Sequence, residues 1–401
     1  MIRIAAALVV VLSLSAPLRA ADAAFQQFLQ SAWPEAQALG VSRTTFDQAT
    51  RGLEPDLSLP DLVIPGRVQR EPGQAEFVQT PGQYLGERTF DRLTARGRQL
   101  AAQYQDTLAR IDKEFGVPGN VVLAIWARET DYGGYQLPLD AIRTLATQAY
   151  TGKRKDFFRN EFLHALKMLQ DGTPRADMRS SWGGALGLTQ FLPSEFYKYG
   201  VDFDGDGRAD IWHSVPDALA SAAKQLAGKG WQRGERWAYE VRAPQDADCS
   251  IGVPDVTASI GEWVKRGFVP LGRQLSAAEL ALPASLLQPE GAYGPAFLTP
   301  KNYYVIKDYN FSDLYVLFVG HLSDRIAGGG AFATPWSKNA QLKTTDVETM
   351  QKRLTALGLY KDKIDGKAGM LTRAALGAYQ KNNKLKVDCW PTAAVLDHMR
   401  R

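Results

Sequence analysis

The spacing of apolar residues along the chain predicts a mainly α-helical protein. Apolar positions recur every three to four residues in several long stretches, which is the pattern of helices that bury one face. These stretches are 24–50, 89–115, 121–134, 141–150, 157–170, 218–230 and 302–327. Between residues 231 and 300, turn residues become frequent and short apolar runs alternate, so we expect a small β-containing subdomain there. Beyond residue 344 the pattern predicts a compact module of three short helices.

One predicted helix, Val121–Gly134, has a carboxylic acid on its buried face. Four of its residues follow the i, i+3, i+4, i+7 spacing and therefore share one side of the helix. They are Val122, Ile125, Trp126 and Glu129. Gly133 and Gly134 come next, and glycine readily adopts the left-handed conformation that ends many helices. We therefore expect Glu129 in the last turns of the helix, against an indole and aliphatic side chains.

A carboxyl group in such surroundings has a chemical use. Loss of water disfavours its charged form, so we expect Glu129 to stay protonated near neutral pH. Cleavage of a glycosidic bond needs such an acid, because the leaving sugar oxygen must receive a proton. On this helix alone, a structural glutamate paired with Arg128 or with a distant arginine is an equally good interpretation.

Two other segments have a composition that suits a ligand. Small residues are frequent in the segment 180–200 just before Gln190, and such residues let the backbone approach a substrate closely. A tightly packed helix crossing is the alternative interpretation of this segment. The turn 151–155 contains Lys153 and Arg154, and its alternative interpretation is a solvated basic loop.

The acidic loop that follows matches the front half of an EF-hand-type calcium site. Oxygen ligands are expected at its positions 1, 3, 5 and 7, which are Asp202, Asp204, Asp206 and the backbone carbonyl of Arg208. Position 12 is His213 instead of the usual glutamate, so Asp217, or alternatively Asp210, would complete the shell. We expect a structural Ca²⁺ that pins the loop and no cofactor for the chemistry. A solvated acidic turn is the alternative.

Length and charge restrict the function classes. A chain of 401 residues fits two or three domains. The net charge of +4 is a mild basic excess without a dense Lys/Arg run, so nucleic acid is not indicated as a partner. A mild positive field does suit an anionic polymer.

The first 23 residues have the three parts of a secretory signal peptide. Arg3 marks the charged region, Ala5–Leu14 the apolar core, and small residues around Ala20–Ala24 offer cleavage sites. The apolar core is too short to span a membrane comfortably, and no cysteine follows it to carry a lipid. We expect an exported, soluble, periplasmic protein without a transmembrane anchor. A membrane anchor is the alternative.

Cys249 and Cys389 are the two cysteines of the chain. An exported protein with two cysteines permits one disulfide. Their distance in sequence leaves a bridge and two free thiols equally open. Neither these cysteines nor the four histidines have zinc-site spacing.

Over most of Phe25–Ala327 the chain resembles the B-type lytic murein transglycosylases, glycoside hydrolase family 103. Four motifs in order carry the resemblance. They are E-T-x-x-G at 129–133, S-x-x-G-A-x-G-x-x-Q-F-x-P-S at 181–194, the acidic loop closed by Trp212 and Asp217, and Y-N-x-S at 309–312. The resemblance implies a lysozyme-like catalytic domain with additional α and small β subdomains.

Separately, Asp346–Arg401 resembles a three-helix peptidoglycan-binding module. It carries Q-x-x-L-x-x-L-G from Gln351 and D-G-x-x-G-x-x-T from Asp365. At 387–390 it reads Val-Asp-Cys-Trp where the family usually has Val-Asp-Gly. The expected layout is therefore a signal peptide at 1–23, a catalytic region at 24–327, a linker at 328–343 and the binding domain at 344–401.

The resemblance also implies roles for particular residues. Glu129 is the single catalytic acid and base, and Ser181 orients it by a hydrogen bond. The residues expected to line the sugar subsites are Gln190, Tyr309, Asn310 and Tyr315. Lys153 and Arg154 match basic positions that meet the carboxylates of peptide stems.

In the implied reaction, Glu129 protonates the oxygen between N-acetylmuramic acid and N-acetylglucosamine. It then deprotonates the C6 hydroxyl of the muramic acid, which closes a 1,6-anhydro ring. A lysozyme-type hydrolase with the same residues and a non-catalytic protein that binds peptidoglycan glycan strands are the rival interpretations. We expect a monomer, and docking with other cell-wall enzymes is compatible with each interpretation.

Overall fold

The computed structural model describes residues 16–66, 79–339 and 342–401, with side chains from residue 23 onward. Most of the predicted signal peptide lies outside the described residues, and its proposed cleavage region falls within the first helix. Among the described residues, no helix combines the length and the apolar character needed to cross a bilayer.

The elements are numbered in chain order. The helices are α1 Ala16–Ser31, α2 Trp33–Ala38, α3 Arg43–Thr50, α4 Pro81–Tyr84, α5 Glu87–Gln103, α6 Gln105–Phe115, α7 Gly119–Thr130, α8 Ala141–Thr151, α9 Lys155–Gln170, α10 Pro193–Tyr199, α11 Val215–Gly228, α12 Ile260–Lys265, α13 Ala277–Ala281, α14 Lys301–Lys307, α15 Asp313–Ile326, α16 Thr344–Ala356, α17 Met370–Asn382 and α18 Ala393–Met399. The strands are β1 Leu139–Asp140, β2 Arg179–Ser180, β3 Tyr239–Arg242, β4 Thr257–Ser259, β5 Val269–Pro270, β6 Pro283–Leu287 and β7 Ala296–Thr299.

The described residues form two compact units. The first contains residues up to 66, Leu137–Gly187 and Phe191–Lys198. The second contains residues 79–136, Leu188–Gln190 and the remainder from Tyr199 to Arg401. The chain therefore passes between the units several times within the region predicted to be catalytic.

The first unit is built around the antiparallel pair α8 and α9, whose facing side chains are fully buried. Phe158 and Phe162 supply the largest of them. At the start of α10, the backbone and hydroxyl of Ser194 donate to the carboxylate of Glu161 at 2.9 and 2.7 Å. Glu161 is only 2% exposed, so these two bonds satisfy its buried oxygens and fix the end of the glycine-rich motif.

The second unit has α7 at its centre. Every residue from Val121 to Ala127 is buried, so α7 is apolar on all sides instead of one. It packs with α5, α6, α11 and α15 in a single large core. The predicted helix is therefore present, but the apolar face deduced from its spacing is only part of what it buries.

The predicted β-containing subdomain is a five-stranded antiparallel sheet with the order β4-β6-β7-β3-β5. Tyr239 in β3 pairs with Leu298 in β7, and Leu298 pairs with Leu286 in β6. Trp263 of α12 is fully buried against this sheet, and its indole donates to the Ala284 carbonyl at 2.8 Å. This small sheet has a hydrophobic core of its own.

The stretch 302–327, predicted as helix, is interrupted. Helix α14 ends at Lys307 and α15 begins at Asp313, with the loop 308–312 between them. The Asn310 side chain accepts the backbone N–H of Ser312 at 3.1 Å, and Ser312 is the N-cap of α15. Asparagine competes for backbone hydrogen bonds in this way, which explains why the helix restarts here.

The C-terminal module consists of α16, α17 and α18 around its own apolar core. Cys249 and Cys389 form a disulfide with a Cα–Cα distance of 6.0 Å, which decides between the two alternatives left open by the sequence. Cys389 has φ of 55°, a left-handed conformation that explains why glycine is usual at this position of the module. Residues 387–390, where the sequence differs from the usual Val-Asp-Gly, thus contain the cysteine that bonds the module to the β-containing subdomain.

The described part of the predicted linker, 328–339, belongs to the second unit and packs on its helix α15 and its sheet. Phe332 stacks on the ring of His321 at 3.6 Å between centroids. The backbone N–H groups of Ala333 and Thr334 donate to the Glu240 carboxylate. These contacts attach the linker closely to α15 and the sheet.

His321 provides a test of this packing. Burial lowers the pKa of His321 to about 3, from its ordinary value of 6.5. The unfolded chain therefore binds a proton that the folded chain does not, and stability is lost as the pH falls from about 6.5 toward about 3. At about pH 5 the loss should be on the order of 2 kcal/mol relative to neutral pH.

We predict that His321→Phe, which keeps a ring against Phe332, removes this part of the pH dependence. The measurement is urea unfolding of both proteins at neutral pH and at about pH 5. A pH dependence that is identical in the two proteins would contradict the assignment to His321.

Candidate active site

Glu129 lies in the last turn of α7, and the residues that follow it have an unusual backbone conformation. Asp131, Tyr132 and Gly133 all have left-handed φ, at 51°, 57° and 81°. The sequence predicted this conformation at Gly133 and Gly134, so the prediction is right for Gly133 and wrong for Gly134. Left-handed residues other than glycine cost about 1–3 kcal/mol each, and such costs are often found at functional sites.

Side chains on α5 and α7 hold this turn. The Asp131 carboxylate pairs with Arg92 at 2.8 Å. The Tyr132 hydroxyl donates to the carbonyl of Leu93 at 2.9 Å, and its ring packs edge-on against Trp126. Thr130 accepts the N–H of Gly133 at 3.3 Å. Together these contacts offset the cost of the left-handed residues.

The hydroxyl of Tyr315, from α15, donates to Glu129 Oε1 at 2.5 Å. Tyr315 is 1% exposed, and burial together with the charge of Glu129 raises its pKa, so it remains a neutral donor. Glu129 itself is half-buried. The sequence predicted that Tyr315 lines a sugar subsite. The structure places its ring in the core and its hydroxyl on Glu129, and a contact of Tyr315 with sugar stays a prediction.

Tyr309 lies beside this pair. Its ring is nearly parallel to that of Tyr315, with centroids 6.5 Å apart. Its hydroxyl donates to the carbonyl of Thr189 at 2.5 Å. Tyr309 and Tyr315 therefore connect the loop 308–312 to Glu129 and to the segment that precedes Gln190.

The segment Leu188–Gln190 is held by three elements of the second unit. Thr130 Oγ1 donates to the Leu188 carbonyl at 2.7 Å, and the Leu188 N–H donates to the Ile211 carbonyl at 2.9 Å. The Thr189 hydroxyl donates to the Ala218 carbonyl at 3.3 Å. Gln190 follows with a left-handed φ of 59°. The segment before Gln190 is thus bonded to Tyr309 and to Thr130, the residue that follows Glu129.

Three predicted site residues belong to the first unit. The Ser181 hydroxyl accepts the N–H of Ala185 at 3.3 Å, which closes the glycine-rich turn. The exposed Lys153 pairs with Asp61 at 3.2 Å. The Arg154 guanidinium lies over the rings of Phe157 and Phe158, about 5 Å from each. The hydrogen bond from Ser181 to Glu129 and the contacts of the two basic residues with substrate stay predictions.

The acidic loop brings some of its predicted ligands together. Carboxylate oxygens of Asp202, Asp204 and Asp217 lie within 4.8 Å of one another. Asp217 is fully buried, and it accepts the backbone N–H groups of Phe203 and Asp210 at 2.8 Å. A cluster of anionic oxygens of this kind suits a hard cation such as Ca²⁺.

The other predicted ligands have different contacts. The Asp206 carboxylate accepts the N–H of Arg208 at 2.9 Å and is outside the cluster of three. The Arg208 guanidinium pairs with Asp210 at 2.9 Å. The Asp210 carboxylate also accepts the backbone N–H groups of Trp212 and His213, so it shapes the loop.

Comparison with known proteins adds to this geometry. The Transglycosylase SLT domain family matches residues 24–324. The chain belongs to the SLT-domain transglycosylase family. The Putative peptidoglycan binding domain family matches residues 343–399. This membership confirms the predicted fold class, a lysozyme-like domain with additional α and small β subdomains and a C-terminal peptidoglycan-binding domain.

The individual relatives of this SLT-domain transglycosylase differ in sequence identity and in the share of the chain that they cover. Membrane-bound lytic murein transglycosylase B of Escherichia coli K12 is 32% identical over 235 residues, which cover 56% of this chain and 61% of that protein. The crystal structure of SltB3 from Pseudomonas aeruginosa with NAG-NAM-pentapeptide has a TM-score of 0.83 at 36% identity, covering 94% of this chain and 99% of that one. SltB3 was also crystallised with NAG-anhNAM-pentapeptide.

The Escherichia coli lytic transglycosylase Slt35 in complex with calcium has a TM-score of 0.60 at 25% identity. It covers 76% of this chain and 93% of that one. This relative therefore binds the ion that the acidic loop of the present chain predicts.

Thr130 supports the candidate site of this transglycosylase through contacts that its motif did not predict. Its single buried hydroxyl serves both the left-handed turn and the segment Leu188–Gln190. We predict that Thr130→Val, which keeps the shape of the side chain, destabilises the protein by about 1–3 kcal/mol, because it leaves buried polar groups without a partner.

The measurement is chemical unfolding, with Thr349→Val as control. Thr349 also donates to a backbone carbonyl, but it is exposed on α16, so its replacement should change stability by less than about 0.5 kcal/mol. Equal effects of the two substitutions would contradict the role given to Thr130.

Proposed function

We propose that this transglycosylase cleaves the β-1,4 bond between N-acetylmuramic acid and N-acetylglucosamine in peptidoglycan and leaves a 1,6-anhydro-N-acetylmuramic acid end. The observation that carries the proposal is the hydrogen bond from Tyr315 to Glu129 at 2.5 Å. It presents one half-buried carboxyl group, at the end of an apolar helix, in a defined orientation.

In the first step the protonated Glu129 donates its proton to the bridging oxygen, and the bond from that oxygen to C1 of the muramic acid breaks. Positive charge develops at C1, where the acetamido group of the same sugar can stabilise it. Tyr315 donates to the carboxylate that forms, and hydrogen bonding to the charged form of an acid favours that form.

In the second step the carboxylate of Glu129 accepts the proton of the C6 hydroxyl on the same sugar. The C6 oxygen bonds to C1 and closes the anhydro ring. Glu129 is then protonated again, and no water is consumed. Because the nucleophile is already attached to the substrate, one carboxyl group is enough.

The contacts of Asp131 support a mechanism with one carboxyl group. A retaining two-carboxylate hydrolase needs a second carboxyl group about 5–5.5 Å from the first. Asp131 is the next acid in the sequence, but it lies beyond the end of α7 and pairs with Arg92 at 2.8 Å. The Asp131 carboxylate therefore serves to hold the end of the helix.

Other residues are proposed to bind the glycan. Gln190, Tyr309 and Asn310 line the sugar subsites, and Ser181 orients Glu129. Lys153 and Arg154 meet the carboxylates of peptide stems. The NAG-NAM-pentapeptide bound by SltB3 supports a substrate of this class, as does the match of residues 343–399 to peptidoglycan-binding domains.

The place of action follows from this substrate. We propose that residues 1–23 direct export to the periplasm, that 24–327 is the catalytic region, and that 344–401 binds peptidoglycan beyond the linker at 328–343. The protein acts as a monomer, and other cell-wall enzymes are possible docking partners.

We also propose that Asp202, Asp204 and Asp217 hold a structural Ca²⁺, with Asp206 and the Arg208 carbonyl completing the shell. The close carboxylates repel one another, and a divalent cation offsets that repulsion. Bound Ca²⁺ supplies charge neutralisation to the loop and takes no part in the transfer of protons at Glu129.

A digest of purified peptidoglycan tests the catalytic proposal. Glu129→Gln should lower the rate of release by about 10²–10⁴-fold, since the amide can neither donate nor accept the proton. Asp131→Asn is the matched control, because asparagine tolerates the left-handed conformation and should leave the products unchanged. Mass spectrometry should find muropeptides one water lighter than hydrolytic products.

Two outcomes would contradict this proposal. Products with ordinary reducing ends would make the protein a lysozyme-type hydrolase. No soluble product from the unmodified protein would make it a binding protein with a structural Glu129.

The calcium proposal predicts that Ca²⁺ raises the melting temperature of the protein relative to a chelator. Saturation at about 100 times Kd stabilises a folded protein by about 2.7 kcal/mol. The double variant Asp202→Asn, Asp204→Asn should lose this response, whereas Asp362→Asn, an exposed acid elsewhere, should keep it. A full calcium response in the double variant would remove the metal site.

A further inference from the structure

The peptidoglycan-binding module is part of the second unit and is attached to the rest of that unit on two sides. On the first side lies the disulfide between Cys249 and Cys389. Near it, Lys381 of α17 pairs with Asp248, and the Tyr293 hydroxyl donates to the Asp388 carboxylate at 2.6 Å. These contacts join the module to the β-containing subdomain, and the disulfide makes that join covalent.

The second side of the module contacts the helices of the active site. Met370, at the start of α17, is 5% exposed and belongs to the same core as α7 and α15. One turn on, Arg373 donates to Asp313 Oδ2 at 3.2 Å and to the Ala368 carbonyl at 2.7 Å. The side chains of Arg373 and Asp313 are 9% and 10% exposed, so this is a buried ion pair.

Asp313 joins three helices through one carboxylate. It is the first residue of α15, and its Oδ1 accepts the Tyr303 hydroxyl at 2.7 Å and the Lys307 ammonium at 2.5 Å, both from α14. Arg373 adds α17. Burial alone would raise the pKa of Asp313, but Lys307 and Arg373 outweigh it and lower that pKa to about 2. The group therefore stays charged, and loss of one partner of such a buried pair is costly.

This carboxylate fixes both ends of the loop 308–312, since Lys307 precedes the loop and Asp313 follows it. The loop carries Tyr309, which bonds to the carbonyl of Thr189. Two residues beyond Asp313 on α15 is Tyr315, which bonds to Glu129. The position of Tyr315 along α15 thus depends on where the start of that helix is held.

We propose that Asp313 and Arg373 are positioning residues, through which the peptidoglycan-binding module sets the place of Tyr315 and Tyr309 against Glu129. The module is then a structural part of the active site as well as a binding domain. This inference rests on the proposed function, because the site it positions is the one that cleaves the glycan.

The first test measures kcat and KM of full-length variants on soluble glycan strands. Asp313→Asn and Arg373→Gln should lower kcat about ten- to hundred-fold, because small misplacements of catalytic groups cost that much. KM should change by a smaller factor than kcat, since Tyr309 is only one of the residues proposed to line the sugar subsites. Arg373→Lys should recover most of kcat, because its ammonium can still pair with Asp313.

Lys381→Gln is the matched control. Lys381 lies on the same helix and also attaches the module, but on the side of the β-containing subdomain. It should keep kcat unchanged. The disulfide holds the module in place in every variant, so detachment cannot explain a loss, and co-sedimentation with intact sacculi should be equal throughout.

A double-mutant cycle with Tyr315→Phe separates positioning from general damage. If Arg373 acts through Tyr315, Arg373→Gln should reduce kcat much less in the Tyr315→Phe background than in the unmodified protein. Independent, multiplicative effects would overturn the inference, and so would an unchanged kcat in Arg373→Gln and Asp313→Asn. If the unmodified protein releases no anhydro product, the proposed function fails instead.

Discussion

The hydrogen bond from Tyr315 to Glu129 is the interaction on which the rest of this structure depends. It joins α7 and α15, two helices whose side chains share one densely packed core, so neither can move without loss of buried contacts. A fixed donor beside a partly buried carboxyl group stabilises charge without reorganisation of water. In the proposed mechanism, this donor allows one acid to act first as a proton donor and then as a base.

The surrounding structure serves to keep this bond in place. Left-handed residues follow Glu129 and recur at Gln190, and their cost is offset by Arg92, Tyr132 and Thr130. At the other helix, Asp313 gathers contacts from α14 and α17 at the start of α15. Stability and function are thus linked, because the contacts that hold these helices also orient the carboxyl group.

Much of this was predictable from the sequence, for identifiable reasons. The regular spacing of apolar residues predicted the helices. The ordered motifs predicted Glu129 and the acidic loop as site candidates, and they predicted the fold class. The partner of Glu129 was not predictable, because Tyr315 is 186 positions away and its apolar neighbours indicate only burial. The break at 308–312 and the role of Asp313 were missed for the same reason, since local spacing does not report contacts between distant helices.

The disulfide and the ion pair between Arg373 and Asp313 could not be predicted either. Cys249 and Cys389 are 140 positions apart, and nothing in either local sequence indicates that they meet. The local sequence around Arg373 is typical of an exposed residue on a short amphipathic helix, yet Arg373 is buried against Asp313. Such pairs become visible only when the tertiary structure is known.

The most direct measurement is a digest of peptidoglycan in water enriched in heavy oxygen, with the products read by mass spectrometry. In the proposed mechanism the C6 hydroxyl of the substrate closes the ring, so the muramic acid ends should carry no heavy oxygen. Incorporation of one heavy oxygen atom at C1 would mean that water is the nucleophile, and it would contradict the mechanism built on Glu129 alone.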